Sequence, residues 1–526
     1  MLLPLADLGV RTLNLLDYSI LLGYFLLNIA IGLWVVRKNK SDKKTTSDQF
    51  LRGAGKTAWW AAGISWFATG QSSISVMAIP ATTYSKNWLS FGSTPAQTIG
   101  TILIAFIFVS LLRQLNITTL FEYLESRFSR RVRVLGAILT LLLKILGRIS
   151  VVLLLPSLAL SQVTGLNVYG SIILIGGVTI AYAIGGGFEA VIWTDVAQSI
   201  ILFGGLFFVM FQIIHGVPHG LSGIFEVAHA HQKLQASSWA FDLNQPTIWV
   251  FIGMSLGSIF QQVGDQPLMQ RVFSTPDVKS ARNSVLLGAF LSIPAALFFF
   301  FLGTALWAFY QFHPDRLASL PTSDAIVPYF IVNELPHGLI GLIVAGIFAS
   351  SMGTISSVIN STATIAKIDC FDLLFPHKSD AAQVKFARWA TFSAGVLAMG
   401  MALYIASLNV QSLWEKYLQL LALIGGGLPG VFALGLLTRK ANSNGVLIGL
   451  IVSITITWAV QHFTHVSSFL HGFVAIASTI IIGYIASIIL PTKDNTQLAG
   501  LTVWDRKPKA SSDQISAHTA SATGSK

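Results

Sequence analysis

The stretch Ala349-Ser-Ser-Met-Gly-Thr-Ile-Ser-Ser-Val-Ile-Asn-Ser-Thr-Ala-Thr364 lies inside an apolar segment, Leu339 to Lys367, that is uncharged up to its last residue. The segment is long enough to cross a bilayer, yet its second half is crowded with hydroxyls that a lipid-facing helix has no use for. On a helix, Ser350, Thr354, Ser357 and Ser361 recur at steps of four, three and four and form one inward-facing polar stripe. Small hydroxylated residues also serve close helix packing. The alternative is a cation site, since hydroxyl and carbonyl oxygens are what a hard ion such as sodium accepts in place of water.

The surroundings decide the class. Hydrophobic residues make up 53% of the 526 residues and charged ones 10%, with a mean hydropathy of +0.68. This excludes a water-soluble globule and implies an all-α integral membrane protein in the lipid bilayer. The net charge of +11 does not point to nucleic acid, because the basic residues sit between apolar segments instead of clustering on a soluble face. The single cysteine, Cys370, permits no internal disulfide.

About 13 spans of membrane length are expected: 16–36, 56–84, 91–112, 134–162, 169–184, 190–214, 248–269, 285–309, 339–366, 390–405, 413–437, 446–463 and 469–490. Basic residues follow the first span (Arg37, Lys38, Lys40) and recur at every second connection (Arg127 to Arg133, Arg271 to Arg282, Lys367 to Arg388, Arg439-Lys440). The positive-inside rule then puts the N-terminus outside and the C-terminus in the cytoplasm. The first apolar segment lacks a basic lead and a small-residue cleavage site, so no cleavable signal is expected. Residues 1–491 read as one transmembrane domain, and 492–526 as a polar cytoplasmic tail expected to be disordered, its Ser/Ala/Thr-rich end offering nothing to bury.

Two spans are interrupted. Thr69-Gly-Gln-Ser-Ser73 breaks the second span, and Gln261-Gln-Val-Gly-Asp-Gln-Pro267 breaks another about five spans later. A broken helix frees backbone carbonyls at membrane depth, which is tolerated where they line a cavity or hold an ion. Breaks at matching places in two five-helix halves are the mark of an inverted-repeat transporter. At about 1.5 Å per residue, Ala68, Thr354, Ser357 and Asp195 all fall roughly 12–20 Å from their cytoplasmic ends and so can share one layer.

Charge at that depth needs a partner. Asp195, in Trp193-Thr-Asp195, is read as the anion of the layer. Arg148, in Lys144-Ile-Leu-Gly-Arg148, lies about 22 Å along its helix, too deep to snorkel. If Asp195 or Asp265 neutralises it, Arg148 is structural; if a substrate carboxylate does, its planar fork is the specificity determinant. The second reading is adopted, and Lys144, one turn earlier, is read as a structural charge.

Together, the helix ending Asn360-Ser-Thr-Ala-Thr364, Trp193-Thr-Asp195 with Gln198, Asp265-Gln with Gln270-Arg271, and Gly427-Leu-Pro-Gly430 resemble the sodium/solute symporter family over nearly the whole chain to about residue 490. The resemblance implies a LeuT-type fold, with inverted five-helix repeats at about 56–214 and 248–437 and flanking helices at 16–36, 446–463 and 469–490. It implies a main Na+ site from the carbonyls of Ala68, Gln71 and Ser350 and the side chain of Thr354. Gly353 stands where the family has a second hydroxyl, so that ligand is missing here. A second sodium site would match Asp195, Ser356, Ser357 and again Gly353.

Within the family, the segment around Arg148 resembles the bacterial sialic acid transporter branch, where such an arginine meets the sugar carboxylate. Ser72 and Ser75, with Thr69, would bond substrate oxygens near a half-helix N-terminus. Thr94, Gln97 and Gln419 are candidates for the sugar hydroxyls, with interhelical bonding as the competing role. The expected function is sodium-coupled import of a small organic acid or sugar acid across a bacterial inner membrane, with no obligate protein partner. A neutral sugar, a monocarboxylate and proton coupling through Asp195 remain alternatives. An enzyme is not expected, because no nucleophile–base pair or phosphate loop is visible, and a channel is disfavoured by the paired breaks.

Overall fold

The computed structural model describes residues 13–41, 46–115, 117–165, 167–317, 320, 323–375, 379–408, 421–491, 498 and 500–505. These residues form helices and connecting turns, with no strand among them. Nine helices among the described residues are long and apolar enough to cross a membrane, and shorter apolar helices accompany them at Ile248–Val263 and Gly427–Leu437. The spans expected at 169–184 and 190–214 join into one helical run, Val168–Gly216, which turns at Gly187 with φ 59° and ψ −146°. Only glycine suits that corner: the φ is positive, and a Cβ would stand 2.5 Å from the Phe50 carbonyl oxygen.

Both interruptions read from the sequence are real. The first broken helix runs Trp59–Gly70 and Ser73–Ser85, with Gln71 and Ser72 extended between the halves. The second runs Ile248–Val263 and Gln266–Ser274, with Asp265 extended at the junction. Pro267 sits in the first turn of the second half, where its missing N–H has no helical partner to lose.

The hydroxyl-rich helix, Leu339–Ile365, is the central one. In its most apolar stretch 89% of residues are buried, against 33% for the first span, so protein and not lipid surrounds it. It packs against Val168–Gly216, Leu15–Ser41 and both halves of the first broken helix. The helix that starts at Arg130 widens into a π turn over Lys144–Ile149 before continuing as Ser150–Thr164. Such bulges re-aim side chains and recur at functional sites.

One expectation needs correction. The tail from 492 does not lack packing throughout: Thr502 is fully buried, and Val503 N donates to Leu436 O at 3.0 Å. Tyr123 Oη donates to Leu501 O at 3.0 Å, and Arg439 grips Asp505 through Nε at 3.0 Å and Nη2 at 2.8 Å. Leu501 and Val503 supply apolar contacts and Trp504 Nε1 donates to Leu437 O at 2.6 Å, which the Ser/Ala/Thr composition of the later tail conceals.

Candidate functional site

The break in the first broken helix faces the hydroxyl-rich helix. Extended backbone at Gln71 turns its carbonyl out of the helix, and there it accepts from Thr354 Oγ1 at 3.2 Å and Ser350 Oγ at 3.5 Å. Thr354 Oγ1 also lies 3.4 Å from Ser350 O. Ala68, Gln71, Ser350 and Gly353 line a common cavity of about 10 Å³, room for a single water or a bare alkali ion. Five of the residues predicted from sequence for the main site are therefore brought together: Ala68, Gln71, Ser350, Gly353 and Thr354. The donor set is all oxygen and uncharged, which fits a hard monovalent cation such as Na+.

Next to it lies a buried charge network. Asp195 is an ion-pair partner of Arg271, whose Nη2 lies 3.1 Å from Oδ2, with both side chains fully buried. Ser65 Oγ donates to the same Oδ2 and accepts from Arg271 Nε at 3.0 Å. Arg271 Nη2 also bonds Ser357 Oγ at 2.5 Å, and Nη1 bonds Pro267 O at 2.6 Å. Asp195, read from the sequence as the anion of this layer in need of a partner cation, has that partner in Arg271, so the pair is neutral. Ser356 Oγ is turned to Gly353 O at 3.1 Å.

Asp195 Oδ1 and Gln198 Oε1, by contrast, are buried acceptors with no hydrogen-bond partner. Both face the space where Gly353 has no side chain: an added Cβ would lie 3.2 Å from Oδ1 and 2.9 Å from Gln198 Oε1. Leaving two acceptors unsatisfied costs about 1–3 kcal/mol each. Gly353→Ser offers a hydroxyl to them, and the close neighbour is the flexible end of a glutamine. The expected outcome is a stabilisation of about 1 kcal/mol in sodium-free buffer, read by thermal unfolding of the purified protein; a lower melting temperature contradicts the unsatisfied pair.

The second cluster sits at the other break. Arg148 Nη1 donates to Asp265 Oδ2 at 2.8 Å, and Lys144 Nζ to Asp265 Oδ1 at 3.0 Å. Arg148 Nη2 reaches Thr69 O at 3.4 Å, which ties the guanidinium to the last turn before the first break. Arg148 is the most accessible of the three, with 25% of its side chain exposed against 19% for Asp265 and 9% for Lys144. Of the two partners left open in the sequence, the structure shows the protein carboxylate at Asp265, in a position from which the fork is still reachable.

The remaining candidates divide. Ser72 and Ser75 are half-buried beside the break, and Ser72 caps the Ser73–Ser85 half without using its hydroxyl for the cap. Thr69, by contrast, has its hydroxyl engaged within the protein. It is fully buried, and its hydroxyl is taken by Ser65 O at 2.7 Å and Ser357 Oγ at 3.1 Å. Thr94 is half-buried and Gln97 exposed, both on the helix Ser93–Leu103. Gln419 lies outside the described residues. Sequence reasoning missed Ser65 and Arg271 as members of the site. Ser65 stands one turn before Thr69, and Arg271 follows the second break directly, which is the signal each carried.

Residues 50–453 match the family described as the Sodium:solute symporter family. The chain is 33% identical over 482 residues to the sodium/sialic acid symporter SiaT of Proteus mirabilis (strain HI4320), covering 91% of this chain and 96% of that protein. It superposes on the substrate-bound outward-open state of a Na+-coupled sialic acid symporter with a TM-score of 0.84 and 31% identity, over 91% of this chain and 98% of the other. Mhp1, a nucleobase-cation-symport-1 family transporter, aligns with a TM-score of 0.57 and 14% identity, over 87% and 99% of the two chains. The architecture is therefore the LeuT-type fold, with broken helices opening each half of the bundle.

Proposed function

The chain belongs to the sodium:solute symporter family, and from that premise we propose that it imports a sialic acid, coupled to sodium, by alternating access. The observation that carries this reading is the small cavity lined by Ala68, Gln71, Ser350 and Gly353, beside which the hydroxyls of Thr354 and Ser350 meet the Gln71 carbonyl at the break. Sodium there ties the first broken helix to the hydroxyl-rich helix and fixes the half-helix that begins at Ser73. That half-helix presents Ser72, Ser75 and its own N-terminal dipole to an anionic substrate. Arg148 receives the substrate carboxylate through its planar fork, and Ser72 and Ser75 bond the neighbouring oxygens. Thr94, half-buried, and Gln97, exposed, serve the hydroxyls at the cavity's outer side. Asp195, Ser356 and Ser357 form a second ion position, in which Gln198 Oε1 takes the place of the hydroxyl missing at Gly353.

The protein sits in the cell's inner membrane with its N-terminus outside and C-terminus inside, as the alternation of basic connections supports. Reconstituted liposomes test the coupling. An inward sodium gradient drives accumulation of labelled N-acetylneuraminate, whereas a pH gradient of equal size with potassium on both sides does not; accumulation under the pH gradient alone would favour proton coupling. Thr354→Ala removes one oxygen from the main site and is expected to raise the half-saturating sodium concentration about tenfold, the equivalent of ~1.4 kcal/mol. Unchanged sodium dependence removes Thr354 from the site.

A further inference from the structure

We propose that Gln266 is a positioning residue for transport: its side-chain amide clamps the turn before the short helix Leu120–Arg127 and so couples the second break to closure of the cytoplasmic side. The proposal rests on the alternating-access reading and on the orientation given with it. Gln266 follows Asp265 directly, opens the half-helix Gln266–Ser274 and is fully buried. Its Oε1 accepts from Leu120 N at 2.9 Å, and its Nε2 donates to Thr118 O at 3.0 Å. Leu120 N is one of the helix-start donors that no intrahelical carbonyl reaches, so the amide supplies the partner it needs. A glutamine suits the task because it offers an acceptor and a donor side by side.

The same turn is held from two further sides. Thr119 Oγ1 donates at 3.0 Å to Asp369 Oδ1, in the π turn Ala366–Phe371 that continues the hydroxyl-rich helix, and Arg133 Nε donates to that oxygen at 2.8 Å. At the far end of the short helix, Arg127 donates to Gly435 O and Ala441 O at 3.2 Å each and to Thr438 O at 2.7 Å. Leu120–Arg127 is therefore a strut that joins the second broken helix and the hydroxyl-rich helix to the end of Gly427–Leu437. Thr119, Leu120, Gln266 and Asp369 are all fully buried, so the inner side is closed at this junction. Without the amide, Leu120 N loses its partner in the closed form, where burial denies it water, but not in an open form, where water replaces the glutamine. Removing the amide thus moves the population toward the inward-open form. Because Asp265 meets Arg148 and the next residue holds the turn, a movement at the break reaches the inner side through one peptide unit.

Thiol labelling tests the clamp. Cys370 is the only cysteine in the sequence, so Cys370→Ser gives a thiol-free background. Ser361 is fully buried on the same helical stripe as Thr354 and Ser357, one turn nearer the cytoplasm, and Ser361→Cys in that background makes it the probe. Its labelling by a membrane-impermeant maleimide in inside-out vesicles, in potassium, is expected to quicken about tenfold or more when Gln266→Leu is added. Saturating sodium is expected to slow it again, because the ion ties together the helices that must part. Gln266→Asn, whose shorter arm cannot span both partners, should quicken labelling about threefold or more and remains decisive if Gln266→Leu fails to fold. Labelling of the Gln266 variants at the background rate overturns the proposal. So does fast labelling that sodium does not slow, the mark of an inner face that is merely disrupted. A background protein whose labelling responds to neither sodium nor N-acetylneuraminate removes alternating access and the clamp with it, whereas a responsive background that the variants match removes the clamp alone.

Discussion

Replacing Arg148 by alanine is expected to reduce N-acetylneuraminate uptake about a hundredfold or more while leaving the fold largely intact. The two halves of that outcome have separate causes. Truncating one member of a desolvated, hydrogen-bonded charge pair costs ~2–5 kcal/mol in binding, and the guanidinium is the group offered to the substrate carboxylate. Folding is protected because Asp265 keeps Lys144 at 3.0 Å when Arg148 is gone. Arg148→Lys keeps the charge but not the fork, so an intermediate loss of about tenfold is expected. Uptake assays read with thermal unfolding separate the cases: a large fall in melting temperature with uptake retained would make Arg148 a structural charge.

The second large effect is on stability. Arg271→Met leaves Asp195 fully buried without its cation, and breaking such a pair costs about 3–5 kcal/mol. The purified variant is expected to unfold at clearly lower temperature. Asp195→Asn in the same chain should recover most of the loss, because it removes the stranded charge. Sodium should stabilise Arg271→Met more than the parent, since a cation bound at the unpaired carboxylate shifts the equilibrium toward the folded state. A variant as stable as the parent would show that the Arg271–Asp195 pair contributes nothing to the fold.

Much of this architecture was legible in the sequence because the membrane leaves few alternatives. A polar run such as Thr69-Gly-Gln-Ser-Ser73 inside an apolar span can only be a break that faces protein or water, and the halves Trp59–Gly70 and Ser73–Ser85 bear that out. The stripe at Ser350, Thr354 and Ser357 followed from helical spacing alone, and the helix buries all three. Which charge meets which was not legible. Asp195 pairs with Arg271, 76 residues away, and Arg148 with Asp265, 117 residues away. Those distances are spanned by whole helices whose relative rotation no local pattern encodes. Thr69 shows the same limit on a smaller scale: two residues before the extended Gln71, its hydroxyl is engaged by Ser65 O and Ser357, which no local pattern reveals. The docking of residues 500–505 was hidden because a short apolar triplet in a polar tail has no periodicity to reveal it.

The central claim is that an ion at the break near Gln71 and a carboxylate at Arg148 stabilise the same arrangement of two helices. By reciprocity, whatever factor sodium adds to substrate affinity, substrate must add to sodium affinity. Calorimetric titration of the purified protein with N-acetylneuraminate in sodium and then in potassium, at equal ionic strength, tests this most directly. Binding at least tenfold tighter in sodium, with the difference lost in Thr354→Ala, is the predicted result. Equal affinity in the two salts would contradict it.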